Sequence, residues 1–287
     1  MVDEKQYHEK VIRFGPAESL VGIITKSRIQ LAASPAVIFL NAGLLHRVGI
    51  QRIHVDLARD LARIGIASFR VDLYGIGESI SQAGDKTFRQ RAFDDINEAI
   101  NFLSKRYSFR SFVLIGHCAG ADNAFPVLVN NDQIMGAVLI DGFGFPTIGF
   151  KLRDLGGRSM VNPLKWSKYL IKSLMSAIRG NASAQNFMDL YGRCWPTHNE
   201  AENDLKKVIE RGAQLLFIYT GGVPVYYNHG GQFKKMFPTL AKEKGLTVQY
   251  FKNADHNLTR IQHREELSQA IVDWLKAKFI DIGKIAA

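Results

Sequence analysis

Residues 112–124 read Phe112-Val113-Leu114-Ile115-Gly116-His117-Cys118-Ala119-Gly120-Ala121-Asp122-Asn123-Ala124. Four consecutive apolar residues running into a glycine are the pattern of a buried parallel strand, while Ala121, Ala124, Val127 and Leu128 recur at helical spacing. The pentad between them has the form Gly-x-Cys-x-Gly. A side chain held on a tight strand-to-helix turn leaves no room two positions to either side, which is why both flanks are glycine. The N-terminus of the following helix favours negative charge on the sulfur. A lone cysteine is most often a small buried hydrophobe. The strand-turn-helix context reverses that reading and makes Cys118 a candidate nucleophile.

Outward from this turn, similar apolar runs recur at Ala36–Leu40, Ala67–Val71, Ala137–Ile140, Leu215–Tyr219 and Val248–Phe251. Helical stripes lie between them, such as Ile53, Leu57, Leu61 and Ile64, and the last is Leu267, Ile271, Trp274 and Leu275. Alternation of strand and helix predicts a mostly parallel sheet covered on both faces. Before it, alternating residues around Tyr7–Phe14 and Leu20–Ile24 predict two antiparallel strands. About 70 residues separate the run ending near Asp141 from that starting near Leu215, more than one crossover helix needs, so an inserted helical lid is expected there. The expected organisation is a core of residues 1–143 and 212–287 with a cap at 144–211.

The chain has 287 residues, 46% of them apolar, with 37 Lys and Arg against 27 Asp and Glu, a formal charge of +10. This composition excludes disorder and permits a large core. There is no apolar run long enough to span a bilayer, and the charged start Met1-Val2-Asp3-Glu4-Lys5 lacks the apolar stretch of a signal peptide, so a soluble cytoplasmic protein is expected. The two cysteines, Cys118 and Cys194, are too few for a disulfide framework and lack metal-ligand spacing; neither metal nor cofactor is expected, and Cys194 reads as a packing residue. The positive charge has no nucleic-acid recognition motif beside it, so nucleic acid is not an expected partner.

The ordered motifs resemble those of the α/β-hydrolase superfamily, with a cysteine at the nucleophile position. Asn41-Ala42-Gly43-Leu44 follows the first parallel run where that family places its oxyanion loop. Asp72-Leu73-Tyr74-Gly75-Ile76-Gly77-Glu78-Ser79 is similar to its D-x-x-G-x-G-x-S turn, and Ala254-Asp255-His256 to its histidine loop. The segment Asn41–Gly49 together with Tyr219-Thr220-Gly221-Gly222 also resembles α/β hydrolases of bacterial biosynthetic gene clusters. The resemblance implies an α/β-hydrolase fold and a site with Cys118 as nucleophile and His256 as base.

The family's acid ordinarily follows the strand corresponding to Leu215–Tyr219, yet Gly221–Asn228 contains no carboxylate. Three residues remain as the group that orients His256: Asp141 at the end of the preceding strand, Asn228 in a Cys-His-Asn arrangement, and Asp255 beside the histidine. Backbone N–H groups of Ala119 and Leu44 are the expected oxyanion donors. His46, Arg47 and His117 are the candidates for contact with substrate; anchoring of the loop is an equal reading for His46 and Arg47, and His117, immediately before the nucleophile, points away from the mouth of the site.

Between Lys151 and Arg193 lie eight Lys and Arg residues, among them Lys165, Lys168 and Lys172 on one helical face. A solvated face is the ordinary explanation; a docking face for an acidic acyl carrier protein or a CoA thioester, or a membrane-surface helix, is the sharper one. The expected function is acyl transfer from a small-molecule acyl substrate through an acyl-cysteine, to water or another acceptor. A dienelactone-type ester or lactone hydrolase and a non-catalytic binding protein of the same fold are the alternatives.

Overall fold

Every apolar run identified above becomes a strand of one sheet. The computed structural model describes residues 6–28, 34–81, 85–159 and 193–280. Strands β1 (Tyr7–Phe14) and β2 (Leu20–Ser27) form an antiparallel pair. Next come β3 (Ala36–Phe39), β4 (Ser68–Asp72), β5 (Phe112–His117), β6 (Ile134–Ile140), β7 (Gln214–Thr220) and β8 (Leu246–Phe251). The order across the sheet is β1-β2-β4-β3-β5-β6-β7-β8, with β2 antiparallel to β4 and every later pairing parallel.

The helices are α1 (Ile53–Arg63), α2 (Phe88–Tyr107), α3 (Ala119–Asn130), α4 (Ile148–Ser159), α5 (His198–Glu210), α6 (Gln232–Met236) and α7 (Ile261–Phe279). Side chains alternate across the strands and define two apolar layers. Val37 and Phe39 face α1 and α7 in one layer, whereas Ile38 and Leu40 face α2, α3 and α5 in the other. Leu57 and Leu61 of α1 are fully buried, each contributing about 1.5–3 kcal/mol by leaving water. Helix α5, inside the stretch expected as a lid, buries Ala201, Leu205 and Val208 in the same layer as α3 and so belongs to the sheet's covering. Threonine caps α2 and α5 alike, Thr87 with Gln90 and Thr197 with Glu200 in reciprocal capping boxes.

The sheet order positions the site. From β3 the chain crosses outward to β4 and then back past β3 to β5, so α1 and α3 leave on opposite faces. The carboxyl ends of β3 and β5 therefore open a crevice at the reversal point, where sites of open α/β sheets form. No helix among the described residues is long and apolar enough to cross a membrane. Residues 160–192, which carry Lys165, Lys168 and Lys172, lie outside the described residues.

The elbow and the end of β3 are in direct backbone contact. A Cβ on Gly120 would stand 2.6 Å from the carbonyl oxygen of Asn41, and one on Gly116 would stand 2.3 Å from the backbone of Gly120. Gly120→Ala should therefore force α3 away from β3, lowering stability by about 1–3 kcal/mol in urea denaturation, since backbone cannot yield as a flexible side chain can. An unchanged midpoint would show that the two segments are free to part.

Candidate active site

Cys118 sits between β5 and α3 with φ 56° and ψ −120°, a conformation unfavourable for any residue bearing a Cβ. The turn is held from both sides. Its N–H donates to the Ile140 carbonyl at 2.8 Å, and its carbonyl accepts from Ala121 N at 3.0 Å and Asp122 N at 3.2 Å. The side chain stays partly exposed. Ala119, first residue of α3, has an N–H with no acceptor inside its own helix. The loop after β3 carries Gly43 at φ +57° and the exposed Leu44. Contact of Gly120 with Asn41 and Leu40 brings that loop beside the elbow.

Asp141, one residue beyond β6, is fully buried and also has a left-handed backbone at φ 48°. Its carboxylate accepts from Thr220 N (2.7 Å), Thr220 Oγ1 (2.7 Å) and His256 Nδ1 (2.8 Å). Burial alone would push its pKa up, but the imidazoles of His117 and His256 hold it well below the ordinary carboxylate range. For His256, burial would lower the pKa; hydrogen bonds to Asp141 and Cys118 overcome it and raise it from 6.5 to about 9. The structure thus brings Cys118, His256 and Asp141 together.

Two glycines stand directly after β7 because no side chain fits there. A Cβ on Gly221 would lie 1.9 Å from the Lys252 carbonyl oxygen, and one on Gly222 would lie 2.0 Å from His256 N. The backbone of the histidine loop occupies the space that side chains there would need. The same loop is fixed by Ala254 and Leu258, both buried, and by Asp255, which accepts from Asn257 N (3.0 Å) and from Thr259 N and Oγ1 (3.1 and 2.6 Å).

The remaining candidates fall elsewhere. Asp255 is committed to those turns and does not touch the imidazole. Asn228 accepts from Arg153 Nε at 2.9 Å and donates to the Phe150 carbonyl at 3.3 Å, which removes it from His256. Of the two readings of Arg47, substrate contact and loop anchoring, the structure has the second: its guanidinium pairs with the buried Asp72 and with Glu78 at 2.6 Å, and its N–H donates to Asp72 at 2.6 Å. It locks the loop after β3 to the turn after β4. A Cβ on Gly77 would collide with the Asp72 carboxylate, so that turn is shaped around the acid. His46 is exposed on the same loop.

His117 is 2% exposed and therefore not at a substrate-facing surface; its Nε2 lies 3.6 Å from the Asp141 carboxylate, and its ring centroid is 4.7 Å from that of His256. Burial lowers its pKa and outweighs Asp141, so the ring is neutral near pH 7. These three residues form a metal-sized cluster, their ligand atoms within 4.8 Å of one another, but Asp141 and His256 are already hydrogen-bonded to each other.

Arg193 was counted with the solvated basic residues of the lid. It is instead 7% exposed, paired with Asp122 of α3 at 2.7 and 3.1 Å, because a guanidinium leaves water only against a carboxylate that can take its fork. Cys194 is exposed, its Sγ accepting from Arg89 at 2.8 Å, and not packed. Sequence reasoning missed Thr220, although the register that sets Ile140 opposite Ile218 puts Thr220 near the residue after Ile140. It missed Arg193 and Tyr226 too, since no local pattern marks them.

A sheet of this order with an elbow at β5, an acid after β6 and a histidine after β8 defines the α/β-hydrolase fold. The chain belongs to the Hydrolase_4 family, whose model, described as serine aminopeptidase, S33, matches residues 34–177. The family is one of hydrolases named for a serine, whereas the elbow here holds a cysteine. The structure is similar to the Pyrococcus furiosus esterase Pf2001 (14% identity, TM-score 0.61, covering 97% of this chain and 94% of that one). It also resembles a proline iminopeptidase from Mycobacterium smegmatis (14%, 0.55, 94% and 98%). A third similar structure is a candidate dienelactone hydrolase from Klebsiella pneumoniae (11%, 0.58, 94% and 98%). No curated protein sequence matches the chain significantly. Three differently named activities on one fold leave the substrate to be argued from the site.

The raised pKa of His256 fixes a sign. Folding favours its protonated form, so the stability it contributes is full below about 6.5 and is lost as pH rises through about 9. An NMR titration of the imidazole should give a midpoint near 9, and Asp141→Asn should lower it, because burial is then opposed by Cys118 alone. A midpoint unchanged by Asp141→Asn would remove the carboxylate as the cause.

Proposed function

We propose that the protein is an acyl-transfer hydrolase in which Cys118 forms a covalent acyl-thioenzyme. The observation that carries this reading is the 2.8 Å contact of Asp141 with His256, whose imidazole has Cys118 on its other side at the strained head of α3. His256, an imidazolium at neutral pH, holds the proton given up by the Cys118 thiol, and Cys118 Sγ attacks the carbonyl carbon. The developing oxyanion is met by the N–H groups of Ala119 and Leu44. As the tetrahedral intermediate collapses, the carbonyl re-forms, the bond to the leaving group breaks, and His256 Nε2 passes its proton to that group. A water or another nucleophile, deprotonated by the same imidazole, then attacks the acyl-Cys and restores the free thiol.

Esters and thioesters suit this machinery better than amides. An acyl-cysteine is itself a thioester, so its formation from a thioester is nearly isoenergetic, whereas an amide would climb to it. The exposed apolar side chains of Leu44, Ile148, Leu152 and Val225 at the crevice end of the sheet suit an acyl chain. Lactone opening of the dienelactone type is the second reading, favoured by the cysteine and by the name of one structural neighbour. The finer likeness to biosynthetic-cluster hydrolases rests on Asn41–Gly49 and Tyr219–Gly222. An acidic carrier protein or CoA thioester as acyl donor rests on the basic composition of 151–193. Retention of cysteine, histidine and a paired acid speaks against a decayed, binding-only site.

Incubation with a panel of acyl-thioesters, aryl esters and lactones, followed by mass spectrometry, should reveal an acyl adduct on the peptide containing Cys118. Thioesters should give the largest kcat/KM. Cys118→Ala should abolish turnover without loss of fold, and His256→Ala should nearly do so, leaving only the residual contribution of binding and oxyanion stabilisation. Wild-type turnover by Cys118→Ala would falsify the mechanism.

A further inference from the structure

Asp141 aims its carboxylate from a backbone conformation that a residue with a Cβ adopts at a cost, so something must hold it there. The carboxylate and the N–H are accounted for: Thr220 and His256 bind the first, and the second donates to the Ile218 carbonyl at 2.8 Å. The Asp141 carbonyl is the third point of attachment, and it accepts from Arg193 at 2.8 Å and from Tyr226 Oη at 2.9 Å. Arg193 is immobilised by Asp122 in the first turn of α3, four residues beyond Cys118, and Trp195 Nε1 donates to the same carboxylate at 3.2 Å. Its guanidinium also lies 5.0 Å from the Trp195 ring and 5.7 Å from the Tyr226 ring.

We propose that Arg193 is a positioning residue: by bridging Asp122 on the nucleophile's helix to the Asp141 carbonyl, it fixes the left-handed turn that aims the Asp141 carboxylate at His256. One rigid fork then sets the acid's direction relative to the cysteine, two parts carried on different elements. A lysine could reach one acceptor or the other but not span both. The proposal rests on the reading of Cys118, His256 and Asp141 as one site, yet its central measurement requires no substrate.

Two roles for Arg193 shift His256 in opposite directions. If Arg193 acts through its charge alone, removing it takes a positive neighbour away from the imidazole cluster and the His256 midpoint rises. If it positions Asp141, removing it lets the carboxylate turn away, and the midpoint falls from about 9 toward 6.5. The other groups facing His256 and His117 are Asp141, Cys118 and the buried His54; those facing Arg193 are Asp122, Tyr226 and Cys118.

The test uses the protein carrying Arg193→Gln with Asp122→Asn, a pair that leaves no uncompensated buried charge, and separately Tyr226→Phe, which removes the second grip on the carbonyl together with a hydroxyl that accepts from Arg193 at 3.4 Å. Histidine-labelled NMR titration of each folded variant should place the His256 midpoint below that of the wild type, further in the double variant than in Tyr226→Phe. With an ester that the wild type turns over, kcat should fall by about tenfold to a hundredfold with KM little changed, as misplacement of a catalytic group does. Arg193→Lys should restore part of both. A midpoint that stays at the wild-type value or rises, in whichever variants fold, overturns the proposal. Failure of Cys118→Ala to abolish turnover would instead defeat the acyl-cysteine chemistry and leave this titration interpretable.

Discussion

The site depends on the pairing of a buried carboxylate with an imidazole across the ends of two strands. Asp141 is taken wholly out of water, and such a group is tolerated only when its charge is paired and its lone pairs are filled. Thr220 at the end of β7 supplies a backbone and a hydroxyl donor, and the loop after β8 supplies His256. Three consecutive elements of the sheet are therefore tied to one carboxyl group, and Cys118 is tied to the same place because its N–H donates to the carbonyl of Ile140, the residue before Asp141.

Around that pairing, strain and close packing serve the same end. Cys118 and Asp141 both hold positive φ. Neither conformation is favourable on its own, and each is fixed by hydrogen bonds on both flanks. Gly116 and Gly120 allow α3 to start against the end of β3, and Gly221 and Gly222 allow the histidine loop to lie on the end of β7. With glycine at those points, no side chain can stand at the two positions directly after β7.

The polar groups next to the site divide between chemistry and support. Arg47 and Asp72 hold the loop after β3 to the turn after β4, so the charge in that motif is spent on architecture. His117 lies behind the carboxylate as a buried neutral ring. Arg193 and Tyr226 converge on a backbone carbonyl that no side-chain pattern could advertise.

The sequence by itself determined the sheet, since short fully apolar runs separated by helical stripes can be buried only as parallel strands between two helix layers. It also determined the elbow and the histidine loop, because the glycine spacing and the motif order are local, chain-contiguous signals. Of the three residues proposed to orient His256, it could not choose; in the tertiary structure the carboxylate that meets the imidazole is that of Asp141. The reason is that this choice depends on which strand end lies beside which: the register of β6 on β7 and the loop folded over β7 bring residues 115 positions apart to 2.8 Å. The fate of the charges was decided the same way. Arg47 and Arg193 look alike in composition to any exposed cation, and only the buried carboxylates folded against them, Asp72 and Asp122, make them structural.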